Sequence, residues 1–273
     1  MKSRLVIGTR SSALARAQTD LVVAALAAAH PGLKVEIRVI RTIGDERLDI
    51  DLASPGPLDK GLFTKQLEDA LLTGEIDLAV HSLKDLPVSL PSGLVIAAIP
   101  ERADPRDVLV SHHPGGLKGL PPSARVATSS ARRRKILEWL RPDLEVVPVR
   151  GNVPTRLRKL AEDGLADALV LAKAGLDRLG KPVPDGLHAT IEEDLLPAPG
   201  QGALGIECRE DDGKTRELLA PLNHLPTARC VNAERGLLQA LGGGCEIPLA
   251  AHATLQNNEI ILRSIYFGQP TPH

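Results

Sequence analysis

Aromatic side chains are almost missing: the 273 residues hold one Trp, one Tyr and two Phe. Leu, Val, Ile and Ala must build the core, and a nucleic-acid stacking platform has few residues to draw on. Cysteine is scarce and odd in number, and Cys208, Cys230 and Cys245 are too far apart for a CxxC metal pair or a disulfide framework. The longest apolar run, LVVAALAAA at 21–29, is too short to span a bilayer. The start, MKSRLVIGTR, lacks the apolar stretch and small-residue cleavage site of a secretory signal. No Walker A loop and no GxSxG elbow occurs, and His112–His113 has no further ligands at metal spacing. The net charge of -1 gives no whole-molecule pull on nucleic acid or an anionic membrane. These absences lead to the expectation of a cytoplasmic protein with no metal, no nucleic acid and no membrane, and a monomer is expected beside them. Any attraction for anions must be local.

What is present is ordinary globular composition, 43% hydrophobic and 25% charged, at a length that allows two or three domains. RLVIGTR reads as a strand, and SSALARAQTDLVVAALAAAH as a helix with apolar positions three and four apart, stopped by PG. LKVEIRVIR alternates as a strand does. A long Gly-, Pro- and Asp-rich loop follows over 41–61, of the kind that forms lids or binding loops. FTKQLEDALLTG is helical, and IDLAVHS and LVIAAI are strands. After ERADPRD (101–107) the pattern restarts with strands DVLVS and RVATS, helix SSARRRKILEWL, strand LEVVPVR, helix PTRLRKLAEDG and strand DALVLA. PAPGQG (197–202) marks a second crossing, followed by strand ALGIEC, helix PTARCVNAERGLLQALGG and strands PLAAHATL and EIILRSIYF. Alternating strands and helices predict an α/β fold.

IGTRSSALAR (7–16) and VATSSARRR (126–134) both set a Ser/Thr cluster and an Arg where a strand turns into a helix. Capping explains Ser and Thr at such a place, and so does an anion site at the helix N-terminus. Arg132 and Arg133 fall in the first turn of their helix, where a cation opposes the dipole, so an anion is expected to offset them. Arg150 follows a strand, at the edge where α/β sheets bind ligands. A solvated basic face is the bland alternative for any single arginine, with Arg134 and Arg158 its best candidates. In AVHSLKDLP (79–87), Lys84 and Asp85 stand after a strand as a possible proton shuttle or as a surface ion pair. Cys245 follows three glycines in LGGGCEIP, a setting that suits an anchor for something bulky. Cys208 and Cys230 fall inside a predicted strand and helix and read as structural.

AVHSLKDLP, TSSARRR, VRGNVPTRL, PGQGALGIECR and GGGCEIP, with IGTRSSALARAQ, KGLFTKQLEDALL and ERADPRD, resemble the porphobilinogen deaminase family in order from Arg4 to about Ala253. The resemblance implies a transferase that joins four porphobilinogen molecules head to tail, losing ammonia each time, to give hydroxymethylbilane. It implies a dipyrromethane cofactor held by thioether to Cys245. Lys84, Asp85, Thr128, Ser129, Ser130, Arg132 and Arg133 are then cofactor-side contacts. Arg10, Ser12, Lys60, Phe63, Arg150, Arg156 and Arg178 are substrate-side contacts, and Asp85 is the catalytic aspartate. Loss of ammonia leaves an electron-poor azafulvenium that a carboxylate stabilises, and the acetate and propionate of every unit make arginine the apt receptor.

The implied architecture is two type 2 periplasmic-binding-protein-like α/β domains around a cleft, with a small, shortened α+β third domain. The boundaries are 1–99 plus 197–217, then 104–196, then 222–273. Two departures stand out. LASPGPLDKG carries Ser54 and Pro55 where the family often has a second lysine, and the sequence stops after FGQPTPH where family members continue. A short third domain with an exposed or partnered sheet edge is therefore expected. A non-catalytic anion receptor of the same fold is the alternative function. Asp85 and the Cys245 loop distinguish the two, since a receptor needs neither.

Overall fold

The computed structural model describes residues 2–42, 64–180, 182–243 and 247–268. β1 (Arg4–Thr9) buries Leu5 and Ile7, and Ser12 then caps α1 (Ala13–Ala29) by accepting the Ala15 N–H at 3.3 Å. α1 presents Ala15, Val22 and Leu26 to the sheet and ends at His30, before the Pro–Gly pair. β2 (Lys34–Val39), α2 (Lys65–Leu72), β3 (Leu78–Ser82) and β4 (Leu94–Ala98) follow, with a single 3-10 turn, Leu83–Asp85, after β3.

The chain then crosses into a second unit. It contains β5 (Asp107–Ser111), the one-turn α3 (Gly116–Gly119), β6 (Arg125–Ala127), α4 (Ala131–Leu140) and β7 (Glu145–Val147). α5 (Val153–Ala161), β8 (Ala168–Ala172), α6 (Lys173–Leu179) and β9 (His188–Glu192) complete it. After the return come β10 (Leu204–Arg209), α7 (Gly213–Leu219), α8 (Leu225–Ala240), β11 (Leu249–Gln256) and β12 (Glu259–Tyr266).

The two five-stranded sheets run β2-β1-β3-β10-β4 and β7-β6-β8-β5-β9. In each, the strand that comes straight after a crossing lies antiparallel to both its neighbours, β10 between β3 and β4 and β5 between β8 and β9. The other pairings, β1 with β2 and β3 and β6 with β7 and β8, are parallel. The echo between IGTRSSALAR and VATSSARRR is thus a repeat of topology, and the architecture is the mixed α/β one expected. The sequence patterns did not reveal α3, α6, α7 or β9. The three helices are seven residues or shorter, too short to display a helical period, and β9 (HATIE) carries a single bulky apolar residue, Ile191.

The crossings are stitched together. Gly202 has φ +86, and a Cβ there would fall 2.5 Å from the Ala103 carbonyl oxygen, so only glycine lets the two crossings touch. Glu234 of α8 is fully buried and accepts from Arg102 Nη1 (2.7 Å) and Nη2 (3.0 Å), from the Gly200 N–H (2.7 Å) and from the Ala253 N–H (2.7 Å). One carboxylate therefore fastens α8 and β11 to both crossings. β11 and β12 form a hairpin whose turn residues, Asn257 and Asn258, both have positive φ, as a two-residue turn demands. Ala250 packs into the second unit's core beside Ile136 and Leu137, while Ile260, Ile261 and Leu262 of β12 are exposed. Cys208 and Cys230 are buried, and burial pushes the Cys208 thiol up to about 11, as befits packing residues.

Replacing Glu234 with Ala leaves the Arg102 guanidinium buried and unpaired. The Glu234→Ala protein is expected to lose about 3–5 kcal/mol of stability, read as a lower urea midpoint. Glu234→Gln, which keeps an acceptor, is expected to lose less.

Candidate active site

The strands β1 and β3 end side by side, and the residues after them converge there. Arg10, Ser12, Gln18, His81, Ser82 and Asp85 line a cavity of about 80 Å³. Gln18 Nε2 donates to Ser82 Oγ at 2.7 Å, which fixes that hydroxyl against α1. Asp85 is exposed, whereas Lys84 beside it is half-buried.

Across the cleft, β6 ends in Thr128, Ser129 and Ser130. Thr128 Oγ1 accepts the Ser130 N–H at 3.2 Å. Ser129 Oγ donates to the Val149 carbonyl (2.8 Å) and accepts its N–H (3.1 Å), tying the turn to the segment that leads to Arg150. Ser130 caps α4 by accepting the Arg133 N–H. The anion expected against Arg132 and Arg133 is the protein's own Asp107, which is fully buried at the start of β5. It accepts from Arg132 Nη2 (2.8 Å), Arg133 Nε (3.1 Å), Arg133 Nη2 (2.7 Å) and Gln201 Nε2 (2.8 Å). Burial alone would raise Asp107, but the two guanidiniums outweigh it and hold the carboxyl well below its usual range.

One carboxylate does not neutralise two guanidiniums. Arg132 Nε is buried with no hydrogen-bond partner among the described residues. Lys84 Nζ approaches Gln201 Oε1 at 3.4 Å, and its pKa is lowered to about 8, by burial first and by Arg133 and Arg132 in addition, against Asp85 and Asp107. Arg156 donates Nε–H to the Gly151 carbonyl at 2.7 Å and is lowered by burial and by Arg133, with Asp85 opposing, so it stands between the two sides of the cleft. Arg178 of α6 donates to the Gly202 carbonyl at 2.6 Å, and burial lowers it also. Arg150 is half-buried just beyond Val149. Of the two arginines read as solvated, Arg158 is exposed and pairs with Asp163, whereas Arg134 is half-buried against the Val146 carbonyl. Lys60, Phe63 and Cys245 lie outside the described residues.

The structure adds residues that the sequence patterns did not single out: Asp107, Gln201, Gln18, Glu68 and Glu207. Asp107 and Gln201 sit in ERADPRD and PAPGQG, which reveal crossings but not their pairing partners. Glu68 and Glu207 were visible only as acids inside apolar patterns, in QLEDALL and GIECR.

Among the described residues, no group of three or more His, Cys, Asp or Glu could hold a metal ion, and no helix is long and apolar enough to cross a membrane. The donor set, rich in arginine and hydroxyl and holding surplus positive charge, suits a compound that carries several carboxylates. It therefore fits a dipyrromethane with its acetate and propionate groups.

Comparison with known proteins points the same way. The family model described as porphobilinogen deaminase, dipyromethane cofactor binding domain, matches residues 5–217, and the C-terminal domain of the same family matches residues 228–268. The chain is 54% identical over 258 residues to the porphobilinogen deaminase of Chloroherpeton thalassium, a match covering 94% of this chain and 81% of that one. It is 52% identical over 265 residues to the porphobilinogen deaminase of Syntrophobacter fumaroxidans, covering 96% and 84%. Among solved structures it is similar to the probable amino-acid ABC transporter extracellular-binding protein YtmK from Bacillus subtilis, at 12% identity and a TM-score of 0.47, covering 89% of this chain and 94% of that one. With the family matched over most of its length, the chain belongs to the porphobilinogen deaminase family, transferases of tetrapyrrole biosynthesis that condense four porphobilinogens to hydroxymethylbilane on a dipyrromethane cofactor.

Proposed function

We propose that Cys245 anchors the dipyrromethane, that Lys84, Thr128, Ser129, Ser130, Arg132 and Arg133 receive its carboxylates, and that Asp85 is the catalytic acid–base. The incoming porphobilinogen is received by Arg10, Ser12, Arg150, Arg156 and Arg178, with Lys60 and Phe63 covering the site. In this reading residues 1–99 plus 197–217, 104–196 and 222–273 act as three domains, and the protein works as a cytoplasmic monomer without nucleic acid.

The observation that carries the proposal is the charge excess around Asp107. Two buried guanidiniums share one carboxylate, a third cation of lowered pKa adjoins them, and one guanidinium nitrogen has no partner. Buried charge without a counter-charge is costly, so such an arrangement suits a site completed by an anion.

When bound, the dipyrromethane supplies the pyrrole to which porphobilinogen units are joined. The protein's own residues do the rest. Arg132 and Arg133 are oriented by Asp107 before any ligand arrives, which spares the ordering cost of two long side chains. The Ser130 hydroxyl and the α4 N-terminus add neutral donors beside them, while Ser129 holds the turn against Val149. Asp85 is exposed at the mouth of the small cavity, where it can reach both the leaving amine and pyrrole N–H groups. As a carboxylate it stabilises positive charge as the C–N bond breaks, and it passes a proton between carbon and nitrogen.

Intact mass tests the anchor: protein from a host that makes porphobilinogen is expected to carry an adduct of dipyrromethane size, absent from Cys245→Ser. A fully folded wild-type protein with no adduct sinks the proposal in favour of a receptor. Asp85→Ala is expected to retain the adduct while turnover falls by about 10²–10⁴-fold. Near-normal turnover would take Asp85 out of the chemistry.

Lys84 generates a pH prediction. Its ammonium is charged below about pH 8 and neutral above, so its pull on carboxylates is present at low pH and lost as pH rises through that value. Adduct loading by the apo-protein should be about tenfold faster in wild type than in Lys84→Gln near pH 7. That ratio should approach one above pH 8, and a pH-independent ratio would contradict the assignment.

A further inference from the structure

Period-two alternation along β3 sends Leu78 and Val80 toward α1, where they pack with Val22 and Leu26, and sends Ala79 toward Leu67, Ala70 and Leu71 of α2. His81 is therefore on the α2 side. Glu207 of β10 is paired with Ala79 across the sheet, which puts it on that same side. α2 buries Leu67, Glu68, Ala70 and Leu71, so Glu68 also occupies a position where the pattern calls for an apolar residue. Three polar side chains thus meet between one helix and one sheet face, with Glu207 0%, His81 6% and Glu68 7% exposed.

These groups are only half satisfied. His81 Nε2 lies 2.9 Å from Glu207 Oε2. Glu207 Oε1 is buried with no hydrogen-bond partner among the described residues, and Glu68 Oε1 and Thr64 Oγ1 are buried near each other without a well-formed hydrogen bond. Orphaned buried acceptors are costly, and a fold keeps them where they do something other than hold it together. His81 and Thr64 both line the cavity of about 80 Å³ that reaches Asp85.

We propose that His81, held by Glu207 and backed by Glu68, is a second proton-handling residue of this site, a positioning residue that works through Asp85 across the cavity they share. The proposal rests on Asp85 being the group at which the reaction's proton is moved.

The reaction needs such a store. Each condensation breaks the C–N bond of a protonated aminomethyl group, the bonding pair leaving on nitrogen as ammonia, and forms one C–C bond at a pyrrole ring carbon. That carbon then loses its proton, and ammonia takes up one proton to leave as ammonium, which balances the step. Ammonia departs before the carbon is deprotonated, so the carbon's proton needs a base that holds it until ammonia or water takes it up. Glu207 accepts from Nε2–H, which leaves Nδ1 as the basic nitrogen of His81. Among the described residues, the charged and titratable groups around the imidazole are Glu207 from β10, Glu68 and the adjoining Asp69 from α2, Asp85 from the turn after β3, and Arg10 from the turn after β1. Burial pushes the Glu68 carboxyl up, the Thr64 hydroxyl opposes that, Glu207 adds to the rise and His81 opposes it, so Glu68 is the readily protonated acid of the cluster.

The test uses the adduct-bearing protein and its His81→Gln variant. His81→Gln is expected to keep the adduct by intact mass, to keep its KM within about twofold, and to lose about a hundredfold in kcat together with the acidic limb of the kcat–pH profile. Glu207→Gln should remove the same limb, and Glu207→Asp should partly restore it. An unchanged profile, or a kcat that falls only in step with lost adduct or a lowered thermal midpoint, overturns the proposal.

Imidazole ¹⁵N shifts give a second reading that does not depend on turnover. The signal that changes in Glu207→Gln identifies His81, and its titration midpoint should move in Asp85→Asn. Equal midpoints in wild type and Asp85→Asn overturn the coupling. Near-normal turnover of Asp85→Ala would instead overturn the assignment of Asp85. An altered His81 profile beside an inactive Asp85→Ala supports both.

Discussion

Asp107 is the carboxylate around which the site is assembled. It begins the first strand after the first crossing, has no exposed surface, and takes hydrogen bonds from Arg132, Arg133 and Gln201. Those three residues come from the N-terminal turn of α4 and from the second crossing. Through Gln201 the network reaches Lys84, and Lys84 precedes Asp85. A single buried charge therefore sets the second unit's arginines, the crossing and the turn after β3 in one frame. Two cations in the first turn of a helix would repel its positive end. Asp107 makes that arrangement tolerable without cancelling it, and the residue of positive charge is what an anionic ligand meets.

Much of this was legible in the sequence, and the limits have a physical origin. Strands β1, β3, β5 and β8 follow from period-two or continuous apolar runs, and α1, α4 and α5 follow from caps, stops and apolar spacing. Ser12 and Ser130 sit where a helix must begin, so their places could be read directly. Pairing could not. His81 finds Glu207 126 residues away, and Arg102 finds Glu234 132 residues away. An isolated acid in a sequence looks like surface until the fold shows which face of its strand or helix is covered. The expectation of an anion against Arg132 and Arg133 was sound electrostatics, yet it could not say that part of the answer lay 25 residues upstream in the same chain.

The glycines before Cys245 divide in the same way. Gly242 has φ +96, its N–H bonds the Gln239 carbonyl, and the Gly243 N–H bonds the Leu238 carbonyl. That bond pattern closes α8 as a left-handed glycine cap does. Gly243 also has positive φ, and a Cβ there would lie 2.7 Å from Val88 Cγ2. Two of the three glycines thus answer to the end of α8 and to its approach to the segment after Asp85. At these two positions the run is a defined turn that brings the chain from α8 beside Val88, close after Asp85.

The buried carboxylates sort themselves by how fully they are satisfied. Glu234 accepts two guanidinium and two backbone bonds, and Asp107 accepts three guanidinium bonds and one amide bond. Both bind residues of the crossings, and both hold parts of the fold together. Glu207 has one partner and one orphaned oxygen, and Glu68 has an orphaned oxygen beside it. A carboxylate with every acceptor used has no reason to exchange protons, because each donor would have to be given up. A carboxylate with an acceptor to spare can take a proton at little cost to its neighbours. On that physical ground the saturated acids are assigned to architecture, and the unsaturated pair beside His81 is assigned to the movement of protons.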